Sequence, residues 1–187
     1  MSSTHMRTSA LGLVVLILTA AVVMGNGVPQ ASTTTAKLIH VDGQVSVNGA
    51  TAIAGASVSS GSAITTAARS SAVVSLGKLG RVEVLPSSTM NLSFGDANVA
   101  VAMLDQGRVR VSSSSGVNAT TTTRDGQIST IGNQRNEFIV DTSCGNTFVA
   151  VKKGTVELRA GSTVKQIAAG NQDTAGTATP GCTPSGE

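Results

Sequence analysis

The sequence predicts an all-β domain, either a short-strand β-sandwich or a small β-solenoid, preceded by one N-terminal hydrophobic helix. Three observations carry that expectation. Apolar and polar residues alternate in short runs, as in Arg108–Val111, the pattern of a half-buried strand. Glycine, 21 of 187 residues, punctuates those runs, and short strands at roughly 8 to 12 residue spacing with turn signals between them mark sandwiches and related β folds. No stretch after the leader sustains a 3.6-residue period.

The elements follow in chain order. Lys37–Val41 leads into Gly43–Val47, in which Val45 and Val47 share one face and Gln44 and Ser46 the other. Asn48-Gly49 is the strongest two-residue hairpin signal in the chain, because both positions tolerate positive φ. Further strands are expected at 57–59, 63–65, 72–76 and 81–85. Pro86 ends the last of these by removing an amide donor and fixing φ. Met90–Phe94 alternates, Val99–Leu104 is a buried-strand candidate, and Asp105–Gly107 turns into Arg108–Val111. Glu137–Val140, Thr147–Val151, Thr155–Arg159 and Val164–Ile167 complete the series, with Lys153-Gly154 and Ala160-Gly161 as turns. Ser112–Ser115 with Thr120–Thr123 has two readings, a flexible loop or an exposed strand of β-branched Thr. An ice-binding face would need Thr-x-Thr repeated across coils, and one tract does not supply it. The small, polar segment Asp173–Glu187 reads as a flexible tail unless Cys182 pins it.

Composition excludes several function classes. Charged residues are 12% of the chain and aromatic residues 2%, with no Trp and no Tyr. A stacking-based single-strand nucleic-acid binder and an aromatic sugar platform both need rings that this chain lacks. The net charge is +3, and without Arg7 of the leader the remaining twelve cations against ten acids leave +2. Cations are scattered apart from Lys152-Lys153 and Arg108-Val109-Arg110, so no nucleic-acid stripe is expected. Arg108 and Arg110 fall on one strand face, either a solvated face or an anion site.

Met1–Ser9 carries Arg7 and no acid, and Ala10–Gly25 then runs 16 residues without a charge. This is the form of a secretory signal peptide, slightly short for a membrane span of about 17 to 25 residues. Cleavage is expected after Gly25 or after Ala36, with an uncleaved anchor as the alternative. In that alternative, membrane contact comes only through residues 10–25. No Cys follows the apolar run, which excludes a lipoprotein anchor. The expected organisation is leader and linker over 1–36, the β domain over 37–171, and the tail over 172–187.

Export agrees with the cysteines. Cys144 and Cys182 are an even pair in a chain expected to leave the reducing cytosol, so a structural disulfide is expected, with two unpaired thiols as the alternative. Closing a loop of about 39 residues is worth roughly 4 kcal/mol in the chain-entropy account. A catalytic or metal-bound thiol needs a partner base or further soft ligands, and the only histidines are His5 in the leader and His40.

No catalytic, cofactor or metal site is expected. Asp96, Asp105, Asp125 and Asp141 are isolated, and pairs such as Asp125-Gly126 read as turn chemistry. His40 has no nucleophile motif beside it. Calcium loops need alternating Asp or Asn ligands closed by a Glu, and no such run occurs. Asn91-Leu92-Ser93 and Asn118-Ala119-Thr120 match the glycosylation pattern.

The ordered succession of short motifs has a family likeness. Gly43-x-Val45-x-Val47-Asn48-Gly49, Ala54-Gly55-Ala56-x-Val58 and Gly61-x-x-Ile64-x-Thr66 resemble the opening of a FecR domain. Ser71-Ala72-Val73-Val74-x-Leu76 and Gly80-x-Val82-x-Val84-Leu85-Pro86-x-Ser88 continue it. Leu104-x-x-Gly107-x-Val109, Glu137–Val140, Asn146-Thr147-x-Val149-x-Val151 and Gly154-x-Val156 keep the family's order over residues 36–171. The resemblance implies the periplasmic part of a regulator that relays a signal from an outer-membrane iron-siderophore transporter to a sigma factor. Only nine residues precede the apolar run and a short tail follows Asn171. The helical anti-sigma segment and the transporter-contacting domain are therefore expected to be missing. The family pattern marks no catalytic residues.

The expected function is a non-enzymatic, exported FecR-like module, periplasmic or extracellular, that binds a protein or a cell-wall polymer. A membrane-anchored, reduced signalling protein is the alternative.

Overall fold

A computed structural model describes residues 35–103 and 105–184. The predicted leader helix, its cleavage positions and Leu104 lie outside the described residues. Among the described residues every element is a strand except one 3-10 turn, Gly77–Leu79. The strands are β1 (Thr35–Asp42), β2 (Val45–Val47), β3 (Ala50–Thr51), β4 (Ser57–Ser59), β5 (Ser62–Thr66) and β6 (Ser71–Ser75). They continue as β7 (Gly80–Val84), β8 (Ser88–Gly95), β9 (Asn98–Met103), β10 (Arg108–Ser113), β11 (Asn118–Thr122) and β12 (Gln127–Thr130). The last are β13 (Asn136–Asp141), β14 (Thr147–Lys153), β15 (Thr155–Ala160), β16 (Thr163–Ala168) and β17 (Gln172–Ala175). No helix among the described residues is long and apolar enough to cross a membrane.

Local chemistry explains the turns. Asn48 and Gly49 sit at φ 51° and 80°, and Val47 faces Ala50 across them, the two-residue hairpin that Asn-Gly favours. Gly154 separates β14 from β15 at φ 80°.

The chain steps back and forth between two open sheets. One runs β17-β14-β13-β10-β7-β6-β1-β4 and the other β16-β15-β12-β11-β9-β8-β5-β2-β3. Among the described residues only β9 and β11 pair in parallel, and β10, in the opposite sheet, is the crossover that parallel pairing requires. The other pairings are antiparallel. The expected all-β class is therefore observed as two open, largely antiparallel sheets.

The alternating residues of both sheets meet in one core. Leu38, Val74, Val82, Val111 and Phe138 from the first sheet and Ile64, Met90, Leu92, Ile128 and Leu158 from the second belong to a single buried cluster. The Ser/Thr tract divides between two strands: Ser112 and Ser113 end β10, and Thr120–Thr122 lie in β11, where Ala119 and Thr121 turn into the interior. β12 follows it and was not foreseen. The chain beyond 171 also enters the sheet: β17 pairs with β14, Thr147 facing Ala175. Cys144 and Cys182 form a disulfide with a Cα separation of 5.6 Å, and the Thr179 amide donates to the Cys144 carbonyl.

One ion pair joins the ends of the two sheets. Lys165 on β16 reaches Asp173 on β17 at 2.7 Å. The hydrogen bond from Lys165 holds the Asp173 carboxyl below its usual range, and the Thr174 amide helps. A depressed carboxyl stabilises the fold above its unfolded value near ~3.9 and loses that contribution as pH falls through its folded value. Both side chains are partly exposed, so the contribution should stay below about 1 kcal/mol. Asp173→Asn is expected to lower unfolding free energy slightly at neutral pH. Denaturant titrations at successively lower pH should show the difference shrinking as the wild-type carboxyl takes up its proton.

Candidate functional site

The first sheet carries a row of polar side chains on its outer face. Register alignment places Lys37 beside Ser75, Ser75 beside Arg81, Arg81 beside Ser112, Ser112 beside Glu137, and Glu137 beside Lys153. These residues are out of phase with Val82, Val111 and Phe138, which enter the core. Where β7 and β13 begin and β10 ends, the row opens into a groove of about 420 Å³.

Three structural details position its polar groups. Arg81 is exposed on β7, directly after Gly80. Gly80 adopts φ 129°, and a Cβ there would meet the Ser112 carbonyl oxygen at 2.0 Å, so glycine lets β7 and β10 close up beside the groove. Arg135 stands on the loop just before β13, and its neighbour Asn136 is fully buried. Asn136 Nδ2 donates to the Gln134 carbonyl at 2.9 Å, and Asn136 Oδ1 accepts from the Thr155 amide at 3.1 Å. That clamp needs Gly154, because a Cβ there would meet Asn136 Oδ1 at 2.0 Å.

The electrostatics are uneven. Lys153 lies 3.6 Å from Glu137 and offsets it. Arg81 and Arg135, which also line the groove, enter none of the ion pairs among the described residues. The Oγ atoms of Ser112 and Ser113 are buried without a hydrogen-bond partner, and Ser113 as a whole is 2% exposed. Ile39, 58% exposed, adds an apolar flank. The groove thus offers hydrogen-bond donors and positive charge to an acceptor-rich ligand.

The residues singled out in the sequence fall elsewhere. Arg110 does lie on the outer face, but its guanidinium is committed to Glu83 at 2.8 Å. Arg108 faces Asp141 across the β10–β13 ladder, and Asp141 is buried. His40 is exposed on β1, opposite Val73. Asp96 takes φ 46° in the β8–β9 hairpin. Asp105 and Asp125 do come together, lining a cavity of about 190 Å³ with Arg124 and Asn146. There Arg124 lies 3.3 Å from Asp125 and also donates to the Gly145 carbonyl. Among the described residues no three His, Cys, Asp or Glu side chains gather as a metal-binding group. Cys144 and Cys182 are joined at the far end of β13 from the groove.

No sequence signal pointed to Arg81 and Arg135 together. They are far apart in the chain and meet only because β7, β10 and β13 are neighbours.

Neither a family model nor a curated relative matches the sequence. Solved structures do match the fold. Two crystal structures of a candidate anti-sigma factor from Parabacteroides distasonis, at 2.50 Å and 1.65 Å resolution, superpose with a TM-score of 0.50 at 19% identity. Each match covers 60% of this chain and 53% of that one, so the chain spans about half the length of those proteins.

Proposed function

We propose that this chain is an exported FecR-like β domain that works without catalysis, binding a protein or cell-wall polymer in the cell envelope. The observation that carries this reading is the two-sheet fold shared with a candidate anti-sigma factor. The ordered Gly-x-Val motifs along the same strands add to it. The Cys144–Cys182 bridge supports an oxidising compartment. The outer-face groove, with two uncommitted guanidinium groups, is the surface we assign to partner binding.

The same fold likeness favours a second reading, a membrane-anchored signalling protein related to FecR-type regulators. The two readings differ at the N-terminus. N-terminal peptide mapping on fractionated native cells separates them, and crosslinking then seeks the partner. A soluble mature chain starting near Asn26 or Lys37 is the expected result for the free module. Intact residues 1–25 in the membrane fraction would establish the anchored form instead. A chain confined to the cytosol with its leader intact would overturn both.

A further inference from the structure

We propose that the groove bounded by Arg81, Ser112 and Arg135 is an oxyanion site whose ligand carries a phosphate monoester. The proposal rests on reading the domain as a binding module and names the chemistry that the module recognises.

The argument starts from what is left over. Burying a hydroxyl without a hydrogen bond costs free energy, so an orphaned hydroxyl at a groove needs an explanation. Ser112 Oγ is buried and unpartnered on the outer face at the groove, whereas Ser113, one residue on, turns into the sheet interior with Val111. A serine hydroxyl can donate one proton, and a phosphate offers only acceptors at full ionisation. The charge points the same way. Lys153 is already offset by Glu137, which leaves Arg81 and Arg135 as two uncommitted positive charges. A phosphate monoester carries between one and two negative charges near neutral pH, which matches two guanidinium groups better than a single carboxylate does. Guanidinium forks also suit phosphate oxygens geometrically. The volume, about 420 Å³, lies within the range of small-molecule sites, roughly 300 to 1,000 Å³.

The cavity near Asp125 lacks this character. Its Arg124 is engaged by Asp125 and by the Gly145 carbonyl, so it presents no spare charge.

The test uses the full chain and two probes at low ionic strength. Inorganic phosphate is titrated against the amide resonances of Ser112–Ser114, with chloride as control. Phosphatidylcholine vesicles with and without phosphatidic acid form the second arm. Saturable shifts with inorganic phosphate, weakened about tenfold or more in Arg81→Gln/Arg135→Gln, are the expected result. Binding only to phosphatidic-acid vesicles, lost in the same variant, would also support the site and identify a lipid as the phosphate source. Ser112→Ala, which removes one oxygen atom from the groove face, repeats the comparison if the double variant proves unstable. No saturable binding of either probe, or equal binding in wild type and variants, would overturn the proposal. That failure would leave the N-terminal mapping and partner crosslinking intact, so it is distinguishable from failure of the binding-module reading.

Discussion

Opening the Cys144–Cys182 bridge is expected to cost about 4 kcal/mol of unfolding free energy in the chain-entropy account. The two residues are 38 apart in sequence, and the loop between them contains β14, β15, β16 and β17. Without the bridge, the unfolded chain regains the freedom of that whole loop. The native state loses something local as well. The Thr179 amide donates to the Cys144 carbonyl at 2.8 Å, and β17 is an edge strand of four residues paired only with β14. Cys144 is 1% exposed, so Ala is the suitable replacement there, since Ser would bury a hydroxyl. Urea unfolding of Cys144→Ala/Cys182→Ala should show a midpoint well below the wild type. Wild-type protein in strong reductant should behave like the variant. Superimposable curves would mean that the bridge constrains nothing that folding requires.

Phe138→Ala should cost about 3 to 5 kcal/mol, the range for removing a buried aromatic ring from a core that only partly collapses. Phe138 is 0% exposed and lies on β13, opposite Val111 of β10 and Val151 of β14. It is the largest of the fully buried side chains. The chain has only three Phe and no Trp or Tyr, so no second ring stands ready to fill the void. Ile53→Ala is the matched control. That side chain is 71% exposed, and its loss should fall within about 0.5 kcal/mol of neutral. Equal effects at the two positions would contradict a shared core between the sheets.

The strands legible in the sequence were those whose inward positions are apolar. β7, with Val82 and Val84 inside, and β10, with Val109 and Val111 inside, declare their faces by alternation. β11 does not, because Thr121 occupies an inward position and resembles its exposed neighbours chemically. β12 is four residues long with Ile128 as its one apolar inward residue, too little for a period. β17 has Gln172, Asp173 and Thr174 before Ala175, so tertiary pairing with β14 makes it a strand, not propensity. The choice between sandwich and solenoid depends on which strands pair, and alternation is the same in both.

The site was less legible than the fold. Arg108-Val109-Arg110 stood out because its spacing puts two cations on one face, yet Glu83 on β7 engages Arg110. Arg81 and Arg135 look isolated in the chain and become neighbours of one groove through strand order. The glycines beside them carry a signal of another kind. Gly80 and Gly154 allow close backbone approaches, and both lie next to the groove's walls.

The measurement that tests the central claim most directly is the thiol state of the chain in its native cell. Cells are quenched with an alkylating agent, fractionated, and the peptides bearing Cys144 and Cys182 are read by mass spectrometry. An exported module predicts the intact Cys144–Cys182 bridge in envelope or secreted fractions. Both cysteines alkylated, in a chain confined to the cytosol, would contradict it.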